Sequence, residues 1–188
     1  AYESYQKCIE LDEKKEYLQQ AKFKLFICGE QFYNLGVTLF GDKKYSAAAD
    51  AFDKTIRVNN IFGVKDSLAT FNAGLSTELG KENDRAIDYY DNLVKMNYRQ
   101  PNIYSSLYNL HIANGDTTEA GKAIAVGRER YADDLNLLIL ETNLFLNTGE
   151  EEKAKKNLEV AVEKDPQNAN LHFVIGTKYF DMLKEMEY

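Results

Sequence analysis

Few residues in this sequence have both the type and the spacing that catalysis or metal binding demands. The two histidines, His111 and His172, could serve as general acids, bases or metal ligands near neutral pH. Neither sits in a His-Glu-x-x-His pattern or beside a Cys or Asp at ligand spacing, so packing is the expected role for both. Cys8 and Cys28 make no disulfide framework and have no zinc-binding spacing. Ser105-Ser106 lie in no Gly-x-Ser-x-Gly turn, and Gly41, Gly63 and Gly80 are isolated turn residues rather than a phosphate-cradling loop. The run Glu150-Glu151-Glu152 reads as a helix start, where negative charge complements the dipole. Asp133-Asp134 and Glu82-x-Asp84 read as turn and capping residues. The expectation is a protein with no catalytic residues, no metal and no cofactor, and not an enzyme.

The bulk properties narrow the classes further. The chain has 188 residues, 23 Lys+Arg against 30 Asp+Glu, and a net charge of −7. That balance excludes a nucleic-acid partner, which needs clustered cations. With 44% apolar residues, 13 Tyr and 10 Phe, a core can form, and two prolines are few for a loop-rich fold. No apolar run approaches the ~18 residues that would insert in a membrane. The chain starts Ala1-Tyr2-Glu3 without Met, and Phe180 to Tyr188 carry no helix-stop signal, so both ends read as cut. No signal peptide is visible, which says nothing if the start was removed.

The organising feature is a repeat. Ala48, Ala86, Ala120 and Ala154 are spaced by 38, 34 and 34 residues, each followed four residues on by a large apolar residue: Phe52, Tyr90, Ile124 and Leu158. Turn signals recur in the same phase at Gly41-Asp42, Gly80-Lys81, Asn114-Gly115-Asp116 and Thr148-Gly149. Small residues at one helical spacing let two antiparallel helices approach, and large ones a turn away fill the adjoining gap. One pair cannot bury its own apolar faces, so pairs must stack. The stretches Phe32-x2-Leu35-Gly36-x2-Leu39 with Ala48-x3-Phe52, and Ala154-x3-Leu158 with Ala161 and Pro166, resemble the tetratricopeptide repeat (TPR) family in its bacterial form. The resemblance implies an all-α fold, an α-solenoid of stacked antiparallel helix pairs wound as a right-handed superhelix. One array is expected over 1–188: a partial unit at 1–12, complete units at 29–62, 67–100, 101–134 and 135–168, and a partial unit at 169–188.

Departures from the pattern carry their own expectations. Thirteen residues are inserted ahead of the first complete unit, and Leu18, Ala21, Leu25, Cys28, Phe32, Leu35 and Leu39 keep three-and-four spacing. That predicts one long helix over 14–40, with Gly29 weakening it by about 1 kcal/mol. Phe23, Phe26 and Ile27 add a second apolar flank, expected to pack within the molecule. The insertion Ile61-Phe62-Gly63-Val64-Lys65-Asp66 lengthens one connection by four residues and is expected to tuck onto neighbouring helices. Tyr108 and Thr142 stand where Gly is usual, Gly127 falls inside a helix, and Glu141 takes a place that is normally apolar and buried. A carboxylate there needs a partner, and Tyr108 or His111 of the preceding pair is the expected one.

In the family the first helix of each pair lines a concave surface. Here that implies a peptide-binding groove of Tyr33, Asn34, Val37, Phe40, Phe71, Asn72, Leu75, Ser105, Asn109, Ile112, Ile139 and Asn143. Asn34, Asn72, Asn109 and Asn143 occur once per pair, and an amide offers donor and acceptor together to a peptide backbone. Family members that clamp acidic chaperone tails use basic residues on these helices. Tyr33, Ser105 and Ser106 stand at those places, so that specificity does not carry over. The expected function is a non-catalytic scaffold holding a peptide segment or a partner subunit. The alternative is a self-assembling module that dimerises through its terminal helices, because Leu171, Val174, Ile175, Tyr179, Phe180, Met182, Leu183 and Met186 surround the last one with apolar surface. Likeness to exported bacterial proteins implies a periplasmic or exported rather than a cytoplasmic setting.

Overall fold

The computed structural model describes residues 1–186, which hold ten α-helices and no strand. The packing divides the chain into two compact units, Ala1–Arg99 and Gln100–Tyr188. In the first, α1 (Tyr2–Leu11), α2 (Leu18–Gly41), α3 (Tyr45–Ile61), α4 (Ser67–Leu79) and α5 (Asn83–Lys95) each pack on the next. In the second, α6 (Asn102–Ala113) pairs with α7 (Thr117–Arg130) and α8 (Leu135–Asn147) with α9 (Glu151–Lys164), while α7 joins the two pairs and α10 (Ala169–Met186) packs on α9. The architecture is all-α, built of stacked antiparallel helix pairs.

The alanine register marks the tightest contacts. Ala48, Ala86, Ala120 and Ala154 are fully buried, and Phe52, Tyr90, Ile124 and Leu158 are buried beside them. Phe52 and Ala48 share a cluster with Ala73 of the next pair, walled by Tyr33, Leu39, Phe40, Ile56 and Tyr89. The glycines opposite are as important as the alanines. A Cβ at Gly36 would lie 2.7 Å from the Phe52 ring, and one at Gly29 would lie 2.9 Å from Val58. Gly29 is thus a contact point between α2 and α3 rather than only a weakness in a long helix. Its carbonyl accepts a buried hydrogen bond from Thr55 Oγ1 at 3.2 Å. Gly127 plays the same part in α7, where a Cβ would meet Tyr104 at 2.7 Å.

The long helix differs from expectation at its start and in its face. It begins at Leu18, not residue 14. Asp12 ends α1 and its carboxylate accepts from the Glu16 and Tyr17 backbone N–H groups, while Lys15 turns the chain with φ 57°. The buried positions are Ala21, Leu25, Gly29 and Gly36, a run that follows the 3.6-residue period, so Leu35 drifts out of the stripe and is exposed. The second flank is not covered: Phe23 is 62% exposed, and Phe26 keeps half its surface while its edge meets Phe62 at 6.3 Å. Phe62 does tuck back from the inserted connection, whereas Ile61 and Val64 remain exposed.

Within the pairs, each first helix ends in the same left-handed turn. Lys43, Lys81, Gly115 and Gly149 have φ of 59°, 61°, 78° and 75°, and they recur in the 38, 34, 34 register. In every case the next N–H reaches back five residues, from Lys44 to Leu39, Glu82 to Thr77, Asp116 to His111 and Glu150 to Phe145, closing the helix end as a Schellman turn does. In the first two pairs a lysine therefore occupies a conformation that glycine adopts without cost. Asp66, Asp116 and Asp134 cap α4, α7 and α8 by accepting from the N–H groups of Ala69, Glu119 and Leu137.

Two stability predictions follow from this geometry. Gly36→Ala should destabilise the protein by about 1–3 kcal/mol in urea unfolding, because the ring of Phe52 must move. Gly41→Ala, which meets nothing within 4 Å, should stay within about 0.5 kcal/mol of the parent. Replacing Lys43 and Lys81 with Gly should raise stability by about 1 kcal/mol each, seen as a higher melting temperature; a lower one would mean the left-handed turns carry no strain.

Candidate functional site

In the first unit the face shared by α2 and α4 is set by one hydrogen bond between pairs, from Asn72 Nδ2 to Tyr33 Oη at 3.0 Å. Asn72 is therefore half-buried and engaged, unlike the free amide its spacing implied. Tyr33 and Phe40 belong in part to the core wall around Phe52, and Phe71 leans on Tyr98 at 5.9 Å between ring centres. Leu75 is half-buried, while Asn34 and Val37 are exposed. Beside Tyr33 lies a pocket of 410 Å³, lined by Phe26, Gly29, Glu30, Tyr33, Asn34, Thr55, Asn59 and Asp66. Asp66 is held there twice, by Asn59 Nδ2 at 2.7 Å and by its cap to Ala69 N–H at 2.9 Å. The inserted connection has thus placed a carboxylate on the pocket wall.

The spacing-based reading did not include Phe26, Glu30, Asn59 or Asp66 in this surface. Phe26 and Glu30 had a detectable signal. With Asn34 and Val37 they follow one another at i, i+4, i+8 and i+11, one side of a helix, and all four are exposed. Asp66 had none, since its position depends on how the four-residue insertion folds.

In the second unit Asn109, Ile112 and Asn143 are exposed on α6 and α8, and Ile139 is half-buried against the cluster of Leu138, Ala161 and Leu171. Ser105 is not a surface residue. It is 8% exposed and its hydroxyl accepts from Asn136 Nδ2 at 2.9 Å, a contact between α6 and α8 matching that between Tyr33 and Asn72. On α10, Phe173, Tyr179 and Phe180 are exposed and Leu171 is buried. The side chains of Val174, Met182, Leu183 and Met186, part of the expected apolar surround, lie outside what the structure describes.

His172 is exposed, with a ring nitrogen 3.1 Å from the Pro166 carbonyl, and so does not take the expected packing role in the core. His111 is half-buried in the last turn of α6. Among the described residues no three His, Cys, Asp or Glu side chains come together as metal ligands, and no helix is long and apolar enough to cross a membrane. Burial pushes the Tyr108 phenol above its ordinary range.

Glu141 does hold a polar contact, but its partners are Arg128 and Asn157, not Tyr108 or His111. Arg128 Nε donates to Glu141 Oε2 at 3.2 Å and Asn157 Nδ2 donates to the same oxygen at 2.9 Å. Both charged side chains are largely buried, 18% and 19% exposed. The expected partners lie on α6, whereas Glu141 faces α7 and α9. Arg128→Leu or Glu141→Leu alone should each cost about 3 kcal/mol, because one buried charge loses its partner. The double variant should come back to within about 1 kcal/mol of the parent in a double-mutant cycle, and additive losses would show the pair is uncoupled.

No protein-family model and no curated protein matches the sequence. Solved structures do match its shape. YrrB, described as a TPR protein with an unusual peptide-binding site, superposes with a TM-score of 0.63 at 16% identity, over 97% of this chain and 85% of that one. MamA from Desulfovibrio magneticus RS-1 gives 0.66 at 13% identity, over 84% and 85%. PilW, a type IV pilus biogenesis factor, gives 0.65 at 18%, over 93% and 79%. The fold of this chain is that of the tetratricopeptide repeat proteins.

Proposed function

We propose that this protein is a non-catalytic scaffold that holds a polypeptide segment of a partner against the first helices of its pairs. The observation that carries the reading is the exposed line Phe26–Glu30–Asn34–Val37 on α2. It presents apolar side chains and a free amide beside a 410 Å³ pocket, within the usual range of about 300–1,000 Å³ for ligand sites. Exposed Asn109 and Asn143 repeat the amide on α6 and α8, and an amide can grip main chain whatever side chains it carries. The likeness to YrrB, whose description names a peptide-binding site, supports the same reading.

A second reading, self-assembly through the terminal helices, is favoured by one observation: Phe173 is 75% exposed and Phe180 57%. A large apolar side chain as exposed as Phe173 invites cover from another surface.

Crosslinking pull-downs with the intact protein should test the first reading. A partner captured by the parent should be recovered about tenfold less by Asn34→Ala/Val37→Ser; undiminished capture by this variant and by Asn109→Ala/Asn143→Ala would remove the proposal. Asn72 is left intact because it holds α2 to α4. Light scattering at two concentrations addresses the second reading. A monomer at both sets it aside, whereas a dimer that Phe173→Ser/Phe180→Ser dissociates establishes it.

A further inference from the structure

Resting on the groove reading above, we infer that the α2 face of the first unit selects a polypeptide segment in which a lysine or arginine is flanked by bulky apolar residues. The basis is charge that the protein itself leaves uncompensated. Glu30 is exposed on the pocket wall and makes no ion pair among the described residues. Asp66, on the same wall, accepts only from neutral donors, an amide and a backbone N–H. No Lys, Arg or His lines the pocket. From Leu25 to Gly41 of α2 and throughout α4 the sequence contains no basic residue. On the pocket wall a cationic side chain meets two carboxylates and no cation, whereas an acidic one meets the same two carboxylates as like charges.

The apolar part of the specificity comes from the same line of residues. Phe26 lies one turn before Glu30 and Val37 two turns after it; these two are 47% and 50% exposed. From Phe26 to Val37 the helix rises about 16 Å, the length of about five extended residues. An occupant therefore has its cation near the middle and an apolar side chain two or three residues to either side. Net charge of −7 brings such a segment to the surface faster than an acidic one.

The test uses the full chain and fluorescein-labelled, end-capped peptides with a Leu-Ser-Arg-Ser-Ser-Leu core, read by anisotropy. Two further probes replace Arg with Glu, or both Leu with Ser. The parent should bind the Arg probe about tenfold tighter than either of the others. Glu30→Gln should reduce the preference for Arg over Glu severalfold, and Glu30→Lys should remove it; a preference that both variants leave unchanged overturns the inference. If the Arg and Glu probes bind equally, yet both are lost on Phe26→Ser/Val37→Ser, the charge selection is wrong and the groove stands. Arg-probe binding that Phe26→Ser/Val37→Ser leaves unchanged overturns the groove itself. No measurable binding of the Arg probe overturns the inference.

Discussion

The structure depends on how closely the two helices of a pair approach, and that distance is set where a side chain is missing. At Gly36 the ring of Phe52 occupies the space a Cβ would need, and at Gly74 the ring of Tyr90 does so at 3.0 Å. Each contact brings an aromatic residue of the second helix onto the backbone of the first, and the alanine one turn earlier lets the backbones close. Everything that faces outward from the first helix takes its direction from this contact. If α2 stood farther from α3, Tyr33 would no longer wall the Phe52 cluster and also reach Asn72.

The second unit solves the same problem with a different distribution of volume. Tyr108 and Thr142 stand where Gly36 and Gly74 stand in the first, and the partner places hold Ile124 and Leu158 instead of Phe52 and Tyr90. A larger residue on the first helix goes with a smaller, non-aromatic one on the second. Thr142 satisfies its hydroxyl within its own helix, on the Leu138 carbonyl at 2.7 Å. Glu141 takes the place of an apolar residue and is accommodated because Arg128 and Asn157 converge on one of its oxygens. Specific polar contacts in the second unit thus replace part of what aromatic packing does in the first.

The pairs were legible in the sequence because a small residue at a fixed period has one physical meaning on a helix that must be approached closely. Three features were not legible. The left-handed turns at Lys43 and Lys81 were read from Gly41 and Gly80 nearby, yet Gly80 has an ordinary right-handed φ of −77°; the pattern of backbone hydrogen bonds, not the residue type, fixes which position turns. Ser105 and Asn72 were placed on the surface by helical phase, but phase within one helix says nothing of the neighbouring pair, which supplies Asn136 and Tyr33. Phe23 was expected to be covered because an apolar flank usually is, yet most of its surface is exposed on α2.

The distribution of cations in the first unit connects the fold to the chemistry of its surface. The second helices hold their charges in pairs: Arg57 with Asp53, and Arg85 with both Asp50 and Glu82. Burial opposes the charge on Arg85, but its hydrogen bonds to Glu82 and Asp50 outweigh that and raise its pKa. The Ser46 hydroxyl and Arg85 together hold the Glu82 carboxyl below its ordinary range. Arg85 with Asp50 joins α3 to α5, while the other two pairs lie within α3 and at the start of α5, so these arginines are committed to the second helices. Glu30 and Asp66, on one pocket wall, make no ion pair among the described residues, and the unit carries an asymmetry that its own folding does not require. An isolated exposed carboxylate is common on any surface. Here one sits on the wall of a pocket with a second carboxylate, beside exposed aromatic and aliphatic side chains, an arrangement that a cationic side chain of another molecule would complement.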